Sequence, residues 1–270
     1  MRFKLHSLIA QANFGKVEYP RRAKVSLFGV ENREVLDNRK FFCKLKTKIV
    51  IFFGPQGSGK TTLIEFIGRE LKKKGFKVRK VEIMYNHLFA YIMYKLLIQL
   101  GFYEIYTIGH NKLKRVKRTL LRRLGTLWLY LNLISTLLLV FIRVWVPLHL
   151  GYVVLAERYI TDTYVSLIWG CKLLKAQSLE YRTKNLSRFL FRFVPTNATM
   201  ICLDAEYDVL YQRYLRTGKP VEDREYIELQ RAYGQIFMRM FKRSMHVSTD
   251  RESVEQSKKK IFIMLNNSKN

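Results

Sequence analysis

Cysteine, proline and acidic residues are scarce in this chain of 270 residues. Its three cysteines, Cys43, Cys171 and Cys202, lie far apart and form no CxxC pair. This excludes a disulfide scaffold and a cysteine zinc site, and it suits a reducing compartment. Five prolines and 14 glycines exclude collagen-like and low-complexity chains. The N-terminal apolar run is too short for a secretory signal, so we expect a cytoplasmic protein.

The shortage of acidic residues leaves a large positive charge. Lysine and arginine number 49 against 21 aspartates and glutamates, which gives a formal net charge of +28 at pH 7. Such a charge favours phosphates, nucleic acid or anionic lipid as partners, without selecting among them. Basic residues are dense over 1–46, where no helical or alternating pattern is sustained. We predict a basic N-terminal extension (1–46) followed by a single domain (47–270).

Apolar patterning in the domain predicts an α/β fold. Residues 48–53 form a short apolar run, typical of a strand that is buried on both faces. Residues 61–74 have apolar side chains at helical spacing, and 77–84 predict a second strand. This strand–helix–strand unit implies a parallel sheet covered by helices on both faces. Further helices are expected over 88–101, 113–146, 206–216 and 223–241, and further strands over 151–156, 200–203 and 245–248.

An uncharged apolar stretch, 127–142, follows seven basic residues that crowd 112–123. It is shorter than the roughly twenty residues that cross a bilayer, and Arg143 and Pro147 follow it. We predict an amphipathic helix packed in the core, with binding to a membrane surface and a true span as the alternatives. For the basic segment we predict a solvated helix face, with a nucleic-acid contact as its alternative.

Residues 54–61, GPQGSGKT, match the phosphate-binding pattern GxxxxGK[ST] between a predicted strand and a predicted helix. The glycines let the backbone bend around a phosphate and aim its N–H groups inward. Lys60 supplies charge for the β- and γ-phosphates, and the Thr61 hydroxyl can ligate Mg²⁺. A glycine turn with an incidental lysine is the alternative, which the flanking strand and helix disfavour. The predicted nucleotide-binding residues are Gly54, Gln56, Gly57, Ser58, Gly59, Lys60, Thr61 and Thr62.

Two further groups of residues are suited to phosphate chemistry. Glu157 and Arg158 end the third predicted strand of the sheet, where parallel strands present their ligands. The carboxylate can orient Mg²⁺ and the guanidinium can hold a phosphate, or the two can form a simple ion pair at the start of a helix. The second group is a basic segment between two helices, either a lid over the phosphates or an ordinary solvated loop. Its residues are Arg213, Arg216, Gly218, Lys219, Pro220 and Arg224.

In this order, the motifs make residues 48–265 resemble the thymidylate kinase-like group of P-loop kinases. The matching segments are 54–62, ERYITDT at 157–163, Leu203-Asp204 with the arginines that follow, and LQRAY at 229–233. The resemblance implies a P-loop NTPase fold with about five parallel strands, ATP and Mg²⁺ as cofactors, and phosphoryl transfer to a nucleoside monophosphate. The catalytic residues that it implies are Lys60, Arg158, Arg213 and Arg216, and the metal ligands are Thr61 and Glu157.

Departures from the family pattern lie on the acceptor side. Gln56 and Glu157 stand where relatives carry aspartate, 84–87 reads MYNH in place of Arg-Glu-Pro-Gly, and Leu167 replaces a glutamine. The donor motif is whole, so we expect a nucleoside monophosphate kinase with dTMP as the leading acceptor. The alternatives are an ATP-binding regulatory module with a decayed acceptor site, and a P-loop ATPase on a membrane surface or nucleic acid through 1–46 and 112–123. A homodimer is left open.

Overall fold

The structure, a computed structural model, describes residues 48–83, 88–108, 111–217 and 221–266. The strands are β1 Ile49–Phe53, β2 Val78–Glu82, β3 Tyr103–Ile108, β4 Asn111–Val116, β5 Val153–Glu157, β6 Thr199–Asp204 and β7 Arg243–Ser248. The helices are α1 Lys60–Lys73, α2 Leu88–Gln99, α3 Arg118–Arg123, α4 Gly125–Val140, α5 Val146–His149, α6 Ile160–Leu173, α7 Gln177–Phe191, α8 Tyr207–Thr217, α9 Arg224–Met240 and α10 Val254–Asn266. The predicted extension 1–46 and the segments 84–87 and 218–220 lie outside the described residues.

Five of the strands form a parallel sheet in the order β2-β5-β1-β6-β7. The central strand β1 is buried at every position because helices cover both faces of the sheet. On one face Ile49 and Val154 pack in a cluster with Val140 and Leu190 from α4 and α7. On the other face α1 lies against β1, β2 and β5, and α10 packs on α1. The predicted α/β fold with a five-stranded parallel sheet is confirmed.

The region 103–123 differs from the prediction. Residues 113–116 were expected at the start of a long helix, but they belong to the antiparallel hairpin β3–β4, in which Tyr103 pairs with Val116 and Ile105 with Lys114. The hairpin packs against α2, and α3 begins only at Arg118. Residues 112–116 mix basic and apolar side chains without strict alternation, so this strand has only a weak local signal, and the helical pattern that follows it dominated the prediction.

The apolar stretch is helical from Gly125 to His149, long and apolar enough to cross a membrane by length and composition. Towards its C-terminal end, Phe141–Trp145 forms a π-helical turn just before Pro147, which has no N–H to continue the regular bonding. One side of the helix is buried, as predicted for a core helix. The other side is exposed, which the prediction did not anticipate; on it lie Leu127, Tyr130, Ile134, Leu138, Phe141 and Ile142.

Candidate active site

The loop between β1 and α1 takes the conformation that its glycines permit. Gly54, Gly57 and Gly59 have φ of 139°, 80° and 85°, values that residues with a Cβ rarely adopt. A Cβ on Gly54 would lie 2.0 Å from the carbonyl oxygen of Leu203 on β6. Helix α1 then begins without a side-chain cap, so the N–H groups of its first turn are available to an anion.

Lys60 places a buried ammonium group against this loop. Its Nζ donates hydrogen bonds to the carbonyl oxygens of Gly54 and Pro55, each at 2.7 Å. Burial, together with repulsion from Arg158, lowers the pKa of Lys60 from 10.5 to about 8. A phosphate beside Nζ would restore the charged form, because an anion replaces the lost hydration.

Thr61 and Glu157 bring two oxygen ligands together at the mouth of the loop. The Thr61 hydroxyl donates to Oε1 of Glu157 at 2.6 Å, across the gap between α1 and the end of β5. Mg²⁺ commonly takes one or two protein oxygens and fills its other positions with water and phosphate. The pair therefore fits Mg²⁺ bound together with a nucleotide. In the described ranges no group of three or more His, Cys, Asp and Glu residues comes together as a metal site.

Arg158 is held in an unusual backbone conformation. Its φ is 66°, in the left-handed region that a residue with a side chain seldom occupies. Its Nε lies 3.7 Å from Oε1 of Glu82 at the end of β2. Burial alone lowers the pKa of Arg158, but the carboxylates of Asp162 and Glu222 outweigh burial and raise the pKa. The guanidinium is therefore a permanent cation at the cavity wall.

Asp162 fixes the start of helix α6, two residues after Arg158. Its Oδ2 accepts a hydrogen bond from the backbone N–H of Tyr159 at 3.1 Å, which caps the start of α6. Burial raises the pKa of Asp162, and the neighbouring Arg158 and Lys60 cations oppose this rise. Asp162 is thus buried near both Lys60 and Arg158, and it was not singled out as a site residue from the sequence.

Helix α8 supports the phosphate loop from the other side. Arg213 donates to the carbonyl oxygen of Gly57 at 2.9 Å and to the hydroxyl and carbonyl oxygens of Thr249. The Tyr214 hydroxyl donates to the carbonyl oxygen of Gln56 at 2.8 Å, and the Gln56 N–H donates to Glu222. These bonds join residues that are far apart in the chain into one rigid support.

The arginines predicted for a lid lie in or beside helices. Arg213 and Arg216 belong to α8, and Arg224 begins α9 with its guanidinium over the ring of Tyr207, at 5.2 Å. Arg216 is exposed and lies outside the residues that line the cavity. Of the predicted lid, 218–220 lies outside the described residues, so closure stays a prediction.

These residues surround a cavity of about 590 Å³. The predicted site residues that line it are Gln56, Gly57, Gly59, Lys60, Thr61, Thr62, Glu157, Arg158 and Arg213. The cavity is also lined by Glu82, Tyr214 and Thr249, which were not predicted from the sequence. Glu82 ends the second strand, and the meeting of parallel strand ends at one edge was a usable signal for it. Tyr214 carried no such signal, because its role depends on the packing of α8.

The order of strands divides the cavity into two sides. The phosphate loop follows the central strand β1, with β5 and β2 on one side and β6 and β7 on the other. Glu82 and Arg158 lie on the β2–β5 side, whereas Arg213 and Thr249 lie on the β6–β7 side. A ligand with its phosphates on the loop can therefore extend towards β7, and a second ligand can approach from β2.

Comparison with solved structures places the fold. Thymidylate kinase from Candida albicans is similar with a TM-score of 0.51 and 13% sequence identity, over 81% of this chain and 91% of that chain. The YorR protein from Bacillus subtilis, in complex with phosphorylated GDP, has a TM-score of 0.43 at 13% identity, over 80% of this chain and 95% of that chain. No family model and no curated protein matches the sequence. The first likeness shows a P-loop kinase fold, as the motifs implied; activity has to be argued from the site.

Proposed function

We propose that this protein is an ATP-dependent phosphotransferase of the nucleoside monophosphate kinase type, with dTMP as the leading acceptor. The observation that carries the proposal is the presence of two cations on two different elements in one cavity: Lys60, which is buried, and Arg158, whose side chain is 12% exposed. A P-loop that only binds a nucleotide requires the first cation. A second cation on the β2–β5 side suits a second phosphate.

The donor phosphates would lie on the loop 54–61, where backbone N–H groups and Lys60 meet their charge. Thr61 and Glu157 would hold Mg²⁺, which neutralises charge on the β- and γ-phosphate oxygens when bound. Lys60 sits on the carbonyl oxygens of Gly54 and Pro55, so its position is fixed before the nucleotide binds. Such preorganised charge stabilises the transition state without later rearrangement.

The acceptor phosphate would bind on the β2–β5 side, against Arg158. Its guanidinium can bridge the acceptor and the transferred group, since it presents several N–H donors in one plane. An acceptor phosphate is already ionised at neutral pH, so the protein has to supply position and charge and not a general base. Asp162 and Glu82 keep the guanidinium aimed and charged during this step.

The donor nucleoside would extend towards β7. On that side Arg213 and Thr249 stand beside the phosphate loop, and Val254 at the start of α10 adds an apolar surface. Because Arg213 is already bonded to Gly57 and Thr249, its contribution is to hold the loop in shape as well as to add charge. We also propose a cytoplasmic location, where both nucleotides are available.

A second candidate function is that of an ATP-binding regulatory module, and the observation that favours it is the side chain of Leu167. This residue stands where the family has a glutamine, and it is buried in an apolar cluster with Ala90, Trp128 and Leu129. It cannot hydrogen-bond an acceptor base. Polar contacts to a base give strong selectivity, so we expect weaker base selectivity than in a standard thymidylate kinase, or no transfer if the acceptor site has decayed.

The test is a panel of nucleoside monophosphates, nucleosides and sugar phosphates incubated with γ-labelled ATP and Mg²⁺. We expect label in a nucleoside diphosphate, and a loss of about 100-fold or more in Arg158→Ala. The matched control is Arg192→Ala, an exposed arginine at the end of α7 outside the cavity lining. Label on a sugar alone would place the acceptor outside nucleotides. Tight ATP binding without any transfer would favour the regulatory module.

A further inference from the structure

Helix α2 exposes a surface that a water-soluble helix normally buries. Its sequence, LFAYIMYKLLIQ, contains one charged residue, yet Ala90 is its single buried residue in the described structure. Ile92 and Leu96 lie one turn apart on its exposed side. The helix packs beside α4, where Ala90 and Trp128 share one cluster. The stripe on α2 therefore adjoins the helix that starts at Gly125.

The helix Gly125–His149 contributes a second exposed stripe. Leu127, Ile134 and Phe141 are seven residues apart, so they lie on one face, and all three are exposed. No charged residue occurs from 125 to 142. We call the exposed sides of α2 and of this helix, with the apolar residues at 100–105 and 150, the α2–α4 surface. Of the 24 large apolar residues exposed in the described structure, 16 lie between 88 and 150. Apolar exposure this concentrated marks a binding surface.

The opposite side of the same helix rules out a simple span. Val140 and Val144 are buried beside Ile49 of the central strand. Asn132, buried on that side, donates to the Trp128 carbonyl oxygen. Crossing a bilayer would remove this side from the core that holds β1 in place. The helix can therefore meet a membrane with its outer side alone, lying along it.

Charge around the α2–α4 surface is mostly positive. Residues 88–150 contain nine lysines and arginines and one acidic residue, Glu104, which forms an ion pair with Arg115. Arg118, Arg122 and Arg123 are exposed just before the apolar helix. A second copy of the chain on this surface would bring basic residues against basic residues. The extension 1–46 is also rich in lysine and arginine, so like charge disfavours it as the occupant of this surface.

A basic cavity lies where the apolar helix begins. It has a volume of about 610 Å³, and its lining includes Arg122, Lys172 and Lys175 together with Thr126 and Glu180. Thr126 directly precedes Leu127, so the cavity lies at the first turn of the helix that carries the exposed stripe. Basic groups that border an apolar surface match the phosphates and acyl chains of an anionic membrane at once.

We propose that the α2–α4 surface docks the protein on anionic phospholipid membranes. The two helices lie in the plane of the membrane with their apolar stripes among the outer acyl chains. The arginines of 118–123 and the basic cavity contact headgroup phosphates. Docking leaves the nucleotide cavity intact, because the residues of the α2–α4 surface named here are not among those that line it.

The experiment is flotation of the full-length protein with vesicles. We expect binding to phosphatidylcholine vesicles that contain phosphatidylglycerol, weaker binding to phosphatidylcholine alone, and a decrease between low and physiological salt. Ile92→Glu with Ile134→Glu should reduce the bound fraction about tenfold or more, since the new charges meet acyl chains. The matched control is Ile263→Glu on α10; Ile263 is 48% exposed and Ile134 50%. Thermal unfolding checks that each variant is folded.

Three results would overturn the proposal. Vesicle binding that is unchanged in the double variant would assign docking to charge outside this surface. A dimer that dissociates in the double variant, without any vesicle binding by the native chain, would make the surface an interface between copies. Recovery from cells only in a membrane fraction that resists carbonate would indicate a span.

Discussion

The buried ammonium group of Lys60 makes ATP binding depend on pH in a defined direction. Its pKa in the free protein is about 8, so the group is mostly charged at pH 7 and mostly neutral at pH 9. Bound phosphates need the charged form and return its pKa towards the ordinary value of 10.5. Binding at pH 9 therefore has to take up a proton, and one pKa unit corresponds to about 1.4 kcal/mol. We expect ATP affinity to fall about tenfold from pH 7 to pH 9.

Titration calorimetry measures this coupling directly. At pH 9, in two buffers of different ionisation enthalpy, the heats should differ by an uptake of nearly one proton per ATP, and at pH 7 by almost none. The control is Lys60→Met, which should bind weakly with a flat profile over this range. Equal affinity at both pH values without proton uptake would contradict a lowered pKa of Lys60 in the free protein. Without nucleotide, the same shift costs stability below about pH 8, and this cost is removed as pH rises from about 8 to 10.5, because the unfolded chain binds more protons in that range.

Three pairs of substitutions test the local structure by chemical denaturation. Gly54→Ala should lower the free energy of unfolding by about 3 kcal/mol or more, because its new Cβ would lie 2.0 Å from a carbonyl oxygen. Gly59→Ala should lower it by only about 1 kcal/mol, because no atom lies within 4 Å of the new Cβ. Equal losses would contradict the loop geometry. Arg158→Gly should be more stable than Arg158→Ala by about 1 kcal/mol. Both variants lose the guanidinium, but only glycine adopts a φ of 66° without backbone strain. The reverse order of stability would argue against strain at this residue. Val144→Asp should unfold the protein and Ile142→Asp should not, because Val144 is 0% exposed and Ile142 is 53% exposed. Similar stabilities of the two variants would mean that the helix does not pack on the core.

The sheet and the phosphate loop could be predicted because their signals are local. The apolar run 49–53 and the glycine pattern after it mark a strand and a turn without reference to the rest of the chain. Helices α8 and α9 were expected over 206–216 and 223–241 and run over Tyr207–Thr217 and Arg224–Met240. In each of these elements the apolar period and the ends are set by neighbouring residues.

Other features could not be predicted because they depend on residues distant in the chain. Arg213 bonds Gly57 and Thr249, and nothing near Arg213 in the sequence indicates either partner. The exposure of Leu127 and Ile134 could not be predicted either. An uncharged helix can be buried on all sides or on one side, and its composition does not tell which residues pack against it. The hairpin at 103–116 was not predicted because helical patterns precede its first strand and follow its second. Its two strands are stabilised by pairing with each other, and the sequence of either strand alone does not show this pairing.

The most direct test of the central proposal follows the γ-phosphoryl group of ATP by ³¹P NMR. Purified protein, ATP, Mg²⁺ and dTMP are mixed, with other nucleoside monophosphates in parallel samples. We predict that the β-phosphate signal of a nucleoside diphosphate grows from the acceptor at the same rate as ADP forms, and that Arg158→Ala slows both about 100-fold or more. Release of the γ-phosphate only as inorganic phosphate, at a rate indifferent to acceptor and to Arg158→Ala, would contradict the account and make the protein an ATPase.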